Sequence, residues 1–156
     1  MVGPCFRLGP LLVVPGQLSG EDMMAAIDEL HDETLARIAD DTPVVMVNLM
    51  KFRERSLDGD GSGWDAYVRY SKGVNHLIRG VGGGIVWTGD AKGASFGPAR
   101  FGDWDFVALV RYPSKAAFRA FITSAEYEAQ NHHRLNGCQE HVIIASEQAY
   151  GRFRED

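Results

Sequence analysis

The sequence has little cysteine, no excess of basic charge and no long apolar run. Its two cysteines, Cys5 and Cys138, lie far apart and lack the spacing of a metal site or a disulfide framework. Asp and Glu outnumber Lys and Arg by 21 to 16, and no basic run is interleaved with aromatic residues, so nucleic acid is not an expected partner. No stretch approaches the ~20 apolar residues of a membrane span, and the apolar run 11–14 is too short for a secretory signal. We therefore expect a cytoplasmic protein with reduced thiols and no membrane partner.

What is present is the composition of one globular domain. The 156 residues are 45% hydrophobic and 24% charged, which is enough apolar material for a single core. We expect residues 1–41 to form an N-terminal extension, residues 42–148 the main domain and residues 149–156 a short tail.

The extension is predicted to contain one amphipathic helix. Ser19, with Asp22 three residues later, is typical of a capped helix start. Apolar residues then recur on one stripe as far as Ile38, and Asp40–Pro43 ends the pattern. Before this helix, the short apolar stretch between Pro10 and Pro15 is a candidate edge strand.

The main domain is predicted to have the order βαββαβ. The predicted elements are strands 44–52, 85–88, 104–112 and 141–145, a helix over 64–79, and helical segments capped by Ser114 and Ser124. This order is the split-βαβ, ferredoxin-like arrangement, an α+β fold in which one face of a four-stranded antiparallel sheet carries the helices.

The two halves of the domain echo each other, and both faces of the sheet are apolar. The segment 48–52 aligns with 108–112, and a helix follows each. Because strand residues alternate sides, Met50 lies on one face while Val47 and Leu49 lie on the other. A second apolar face favours contact with another subunit, so we expect a homodimeric α+β barrel.

Several short pieces in this order resemble a known group of proteins. They are Val47–Phe52, Tyr67, Tyr70, Gly82-Gly83, Gly89, Tyr112-Pro113-Ser114, Ser124-x-x-Tyr127 and Arg134. Over roughly residues 42–145 they resemble the dimeric α+β barrel superfamily and, within it, the family called domain of unknown function 1330. The resemblance implies two ferredoxin-like subunits whose sheets close into a barrel. Relatives include cofactor-free oxygenases, isomerases, cyclases and haem enzymes, so the fold alone does not settle the function.

Two motifs suggest metal binding, but each lacks the ligand residues or the ligand spacing that a metal site requires. The run 58–63 imitates a calcium loop, but Arg69 stands where the loop requires a bidentate Glu, so a flexible connector is the better interpretation. His132 and His133 lack the i, i+4 spacing of a helical zinc motif and fall off the inward stripe of their helix, while His76 lies on a charged stripe. We expect solvated histidines, no metal and no cofactor.

Polar residues on faces that should be buried form the candidate site. They are Asn48, Tyr67, Tyr70, Tyr127, Asn131 and Arg134, and Arg111 near a strand end is added to them. We predict that Tyr67, Tyr70 and Asn48 hydrogen-bond a carbonyl or a developing oxyanion, as catalytic residues. Arg134, Asn131, Tyr127 and Arg111 are predicted to bind the ligand. A buried guanidinium requires a carboxylate or a ligand, and Asp105 is one candidate internal partner for Arg134.

Two classes of function stay open. The first is a cofactor-independent enzyme that acts on a small organic acid or aromatic compound. A pocket that converges on Arg134 and the tyrosines would favour it. The second is a non-catalytic small-ligand binding or dimerisation module, which an Arg134–Asp105 bridge without a cavity would favour. A haem protein is a weaker third alternative, because the candidate histidines point outward.

Overall fold

The computed structural model describes residues 19–151 and contains one antiparallel sheet of four strands. The strands are β1 (Val44–Phe52), β2 (Gly84–Asp90), β3 (Phe106–Tyr112) and β4 (Cys138–Glu147), in the spatial order β2-β3-β1-β4. The helices of the main domain are α3 (Gly63–Gly80), α4 (Lys115–Ile122) and α5 (Ala125–Gly137), and α1 (Gly20–Ile27) and α2 (Asp32–Leu35) precede them. A short 3₁₀ turn covers Ala99–Gly102. The predicted βαββαβ order and the ferredoxin-like sheet are confirmed.

The helices of the main domain begin at serine caps. The Ser114 and Ser124 side chains each accept the backbone N–H three residues further on, as the sequence predicts. Ser62, which we did not predict as a cap, forms a reciprocal capping box with Asp65 and starts α3. None of the helices within residues 19–151 is long and apolar enough to cross a membrane.

The prediction of one continuous helix in the extension is wrong. Ser19 does cap a helix, through a box with Asp22, but α1 ends at Ile27 and α2 begins only at Asp32. At the break, the Ile27 carbonyl and the Asp28 carboxylate turn to a buried arginine, Arg134. Leaving that guanidinium without partners would cost more than a few exposed helical hydrogen bonds. The candidate strand between Pro10 and Pro15 lies outside the described residues.

The main core lies between the helices and one face of the sheet. Its buried residues are Leu35, Ile38, Val44, Met46, Val74, Ile78, Val110, Tyr112, Phe118 and Phe121. Leu35 and Ile38 come from the extension, which therefore closes one end of this core. The opposite face of the sheet, called here the open face, carries Val47, Leu49, Trp87, Val107, Leu109, Val142 and Ile144. Trp87 and Ile144 remain about half exposed, at 52% and 50%.

The internal echo of the sequence is visible in the strand register. Asn48 of β1 lies directly opposite Ala108 of β3, and these are the two positions that the echo aligns. A pseudo-twofold axis relating the halves therefore passes between β1 and β3 at this pair. Asn48 occupies the centre of the helix-facing side of the sheet.

The start of α3 and the end of α5 touch through their backbones. The Arg53 N–H donates to the Gly137 carbonyl at 2.9 Å, and the Gly63 N–H donates to the Arg53 carbonyl at 3.0 Å. A Cβ added at Gly63 or at Gly137 would lie 2.4 Å from the carbonyl oxygen of the other. Only glycine fits at both positions, so these two residues set how closely the helices approach.

Candidate ligand cavity

A cavity of about 360 Å³ lies between α3, the helix-facing side of the sheet and the α4–α5 junction. Its walls are mostly apolar and aromatic, and four residues of the predicted site line it: Asn48, Tyr67, Tyr70 and Tyr127. The exposed Lys72 is the only charged side chain among the described residues of its lining. A cavity of this size and character suits a small, mainly apolar molecule.

Three tyrosines form a connected cluster along the cavity. The ring centroids of Tyr67 and Tyr70 are 5.7 Å apart, and those of Tyr70 and Tyr127 are 6.4 Å apart. Burial raises the pKa of all three phenols, and the nearby Arg134 charge opposes that rise. The phenols therefore stay protonated at neutral pH and can act as hydrogen-bond donors. Within residues 19–151 the Tyr67 hydroxyl forms no hydrogen bond, which leaves it available to a ligand.

A second cavity, of about 660 Å³, adjoins the first. It lies between the α1–α2 connection, the α4–α5 junction and β4, and its polar lining includes Asp28, Asn131, Arg134 and His141. The two cavities share part of their lining, namely Phe118, Ile122, Tyr127 and Ile143. The two cavities are therefore adjacent, with Tyr127 between them, and are called here the joined cavities.

Arg134 is 3% exposed and is surrounded by acceptors from three parts of the chain. Its Nε donates to Asn131 Oδ1 at 2.7 Å, and its Nη2 donates to the Asp28 carboxylate. Its Nη1 faces the Ile27 carbonyl at 3.3 Å and His141 Nδ1 at 3.4 Å. Asn131 Nδ2 also donates to Asp28 Oδ1, at 2.9 Å, so the guanidinium and the amide converge on one carboxylate.

The predicted pairing of Arg134 with Asp105 is wrong. The Asp105 carboxylate accepts the backbone N–H of Phe52 at 2.7 Å, at the far end of β1. The carboxylate that neutralises Arg134 comes from Asp28 in the extension, 106 positions away in sequence.

His141, which we did not identify from the sequence, links Arg134 to Asn48. Since a guanidinium only donates, His141 Nδ1 must accept, and its Nε2–H then donates to Asn48 Oδ1 at 3.1 Å. The Asn48 amide nitrogen donates to the Met46 carbonyl at 3.0 Å and the Ala108 carbonyl at 3.4 Å. Burial, together with Arg134, lowers the pKa of His141 to about 3, so the ring is neutral at physiological pH.

Six of the seven predicted site residues surround the joined cavities, and Arg111 does not. Arg111 lies opposite Val45 in β1 and Gly84 in β2, at one end of the open face. Strand alternation puts its side chain on the other side of the sheet from Asn48. The functional roles that we assigned to these residues stay predictions.

The residues that suggested metal binding serve the loop itself. The Asp58 carboxylate accepts the Ser56 hydroxyl at 2.6 Å and the Asp60 N–H at 3.0 Å, and it lies 3.6 Å from Arg69. His76 and His132 are exposed as expected, whereas His133 is half-buried beside this loop. Across residues 19–151, no three His, Cys, Asp or Glu side chains are grouped so that they could hold a metal ion.

The strand order and the single layer of helices define a ferredoxin-like α+β protein. A family model described as Domain of unknown function (DUF1330) matches residues 63–148, more than half of the chain. The chain belongs to this family.

Solved structures support the same fold. A crystal structure of a protein of unknown function from Rhodopseudomonas palustris is 26% identical, with a TM-score of 0.71 over 80% of this chain and 98% of that one. A methylated form of that protein is 28% identical, with a TM-score of 0.70 over 80% and 95%. A putative antibiotic biosynthesis monooxygenase from Bacteroides thetaiotaomicron is 13% identical, with a TM-score of 0.49 over 74% and 97%, and this similarity is too low to bear on fold or activity. No curated protein matches the chain.

Proposed function

We propose that this protein binds a small organic acid or aromatic compound in its joined cavities. The observation that carries the proposal is the tyrosine-lined cavity of about 360 Å³, a volume typical of small-molecule sites. Apolar walls favour the body of such a ligand, and a few convergent donors fix its orientation.

The proposed polar contacts are phenolic. The Tyr67 and Tyr70 hydroxyls donate to an oxygen of the ligand, because burial keeps both phenols protonated. Arg134 lies next to Tyr127 at the junction of the cavities, where Asp28 neutralises its charge, so it can meet a ligand anion only when that pairing is exchanged. The Asn48 amide is bonded to backbone carbonyls and to His141, so we assign it to holding the cavity wall.

The proposed assembly is a homodimer formed through the open face. Trp87, Val142 and Ile144 are 52%, 44% and 50% exposed there, next to half-buried Val47 and Leu109. An apolar sheet surface of this kind favours burial against a second copy, which presents the same surface.

A cofactor-independent enzyme is the second candidate function. The observation in its favour is the position of Arg134 beside the phenol of Tyr127, whose pKa it lowers against the effect of burial. Protonated phenols in a mostly apolar cavity stabilise an oxyanion that develops on a bound enol or phenol.

The experiment is a thermal-shift and calorimetric screen of small aromatic acids, phenols and ketones against wild type, Tyr67→Phe and Tyr150→Phe. Tyr150 is 78% exposed and lines neither cavity, so it is the matched control. We expect Tyr67→Phe to weaken binding of an oxygen-bearing ligand about five-fold, the value of one hydrogen bond of ~1 kcal/mol. Binding of the same ligand without its oxygen should not change.

Failure of every compound to bind, or equal affinities in all three proteins for every binder, would contradict the proposed site. For any binder, mass spectrometry of the ligand after incubation then separates the two candidate functions. A new product that wild type forms and Tyr67→Phe forms more slowly supports the enzyme, and unchanged ligand supports the binding protein.

A further inference from the structure

The carboxylate on Arg134 belongs to a segment outside the main domain. Asp28 Oδ1 accepts from Arg134 Nη2 and from Asn131 Nδ2, so one guanidinium nitrogen and one amide nitrogen recognise the same carboxylate oxygen. The Arg134 side chain is 3% exposed, whereas that of Asp28 is 44% exposed. The cationic half of this pair is thus fixed in α5, and the anionic half lies at the surface.

The segment that carries Asp28 can move without disturbing the main core, although Ile27 packs against a smaller buried cluster of Met50, Ala108 and Cys138. Asp28 is the C-cap residue directly after α1, and the connection that follows, Glu29–His31, is exposed. The anchor of the extension in the core lies further on, at Leu35 and Ile38. Movement of residues 20–31 would therefore break the contacts of Asp28 to Arg134 and Asn131 and the packing of Ile27 on the smaller cluster, and it would leave the anchor in the main core in place.

We propose that Arg134 and Asn131 form a binding site for the carboxylate of a monocarboxylic acid, and that Asp28 occupies this site as an internal competitor. Exchange of one carboxylate for another keeps the buried guanidinium neutralised, which removes the main cost of displacing Asp28. The extension then sets the affinity of the site, because each ligand molecule must replace it.

The ligand class follows from what surrounds the carboxylate. From Arg134 the shared wall of Phe118, Ile122 and Ile143 leads past Tyr127 into the tyrosine-lined cavity. An acid with a small apolar body would place that body there. That part of the inference rests on the proposed function, whereas the Arg134 site requires only a carboxylate.

The test compares Asp28→Ala with Glu29→Ala, whose neighbouring acidic side chain also lines the second cavity but does not contact Arg134. The probes are acetate, neutral acetamide and 3-phenylpropionate. We expect acetate, and not acetamide, to raise the melting temperature of Asp28→Ala. We expect 3-phenylpropionate to bind Asp28→Ala at least ten-fold more tightly than it binds wild type or Glu29→Ala. If Asp28→Ala does not fold, Asp28→Asn removes the charge and keeps the shape.

Hydrogen exchange of the wild-type protein gives an independent measurement. Saturating 3-phenylpropionate should increase amide exchange in residues 20–31 while exchange in α5 does not increase. Two results would overturn the proposal that Asp28 is an internal competitor. The first is an equal rise in melting temperature with acetate and with acetamide in both Asp28→Ala and Asp28→Asn. The second is binding of 3-phenylpropionate to wild type without a change in the amide exchange of residues 20–31. If acetate, and not acetamide, raises the melting temperature of Asp28→Ala but 3-phenylpropionate binds no more tightly than acetate, the result supports the Arg134 site. The same result counts against the proposed cavity ligand.

Discussion

Arg134, His141 and Asn48 form a buried chain of hydrogen bonds with one direction. The guanidinium donates to the imidazole, the imidazole donates to the amide, and the amide donates to two backbone carbonyls. Every donor in this chain has an acceptor, which is the condition under which buried polar groups are tolerated. Protonation of His141 would place a second positive charge next to Arg134 and remove the acceptor.

His141 therefore makes stability depend on pH. Its pKa is lowered from about 6.5 to about 3 on folding, so between these values the unfolded chain binds more protons. Its contribution to the free energy of unfolding is complete above pH 6.5 and is lost as the pH falls toward 3. We expect wild type to lose about 2 kcal/mol from this group between pH 7 and pH 5.

Urea unfolding of wild type, His141→Gln and His76→Gln at both pH values measures this loss. His76 is exposed, so His76→Gln should show the wild-type pH dependence. His141→Gln should lose about 2 kcal/mol less than wild type over the same interval. Identical pH dependence in His141→Gln and wild type would refute the assignment.

Sequence patterns predicted that Asn48 faces the interior and that Arg134 needs an anion, because strand alternation and the cost of burying charge are local arguments. They did not predict which residues complete the network. Asp28 and Arg134 are 106 positions apart, and only the fold brings them together. His141 stands next to the apolar run 142–145, so alternation gives no sign of which face it occupies.

At the scale of elements, the contact between α3 and α5 depends on two glycines. Gly63 and Gly137 bring the start of one helix against the end of the other, where a methyl group would overlap a carbonyl oxygen. The tyrosines of the cavity wall come from these two helices, with Tyr67 and Tyr70 on α3 and Tyr127 on α5. The glycine contact thus also sets the spacing of the candidate site.

Gly137→Ala is expected to lower the free energy of unfolding by ~1–3 kcal/mol, since it overpacks a backbone contact. Gly80→Ala is the matched control, because Gly80 is also the last residue of a helix and a Cβ there meets nothing within 4 Å. Alanine at that position should be neutral or stabilise the protein by up to ~1 kcal/mol. Chemical denaturation of both variants tests the difference, and equal stabilities would exclude the proposed role of the close approach.

The elements themselves were largely predictable. Period-2 and helical patterns gave all four strands and the three helices of the main domain, and serine caps gave most helix starts. The break between α1 and α2 was not predictable, because the apolar stripe continues across it to Ile38. Its cause is the tertiary contact of Asp28, which overrides local helix propensity.

At the scale of the whole molecule, the sheet has two apolar faces and one layer of helices. The helix-covered face holds the cavity, and the open face holds Leu109 at its centre, opposite Val47 and Trp87. The proposed dimer buries the open face and leaves the helix-covered face to the ligand. Assembly and ligand binding would therefore use opposite sides of the same strands.

Leu109→Asp should convert the proposed dimer to a folded monomer, because each subunit would bury a carboxylate in the interface. Leu57→Asp is the control, since Leu57 is 49% exposed in the loop before α3, away from the open face. Sedimentation velocity measures the mass, and circular dichroism checks the fold. A wild-type protein that stays monomeric at high concentration, or a Leu109→Asp dimer of unchanged affinity, would rule out this interface.

The position of β1 has a consequence for any shortened form of the protein. The stretch shared with the family begins at residue 63, yet β1, at Val44–Phe52, is hydrogen-bonded to β3 on one side and to β4 on the other. A polypeptide that starts at residue 63 would lack its middle strand. The backbone amides and carbonyls of β3 and β4 that pair with β1 would then have no partners. Such a fragment would also lack Leu35, Ile38 and Asp28, so the piece that has to be added back to reassemble the fold is residues 19–62, which include the strand VVMVNLMKF.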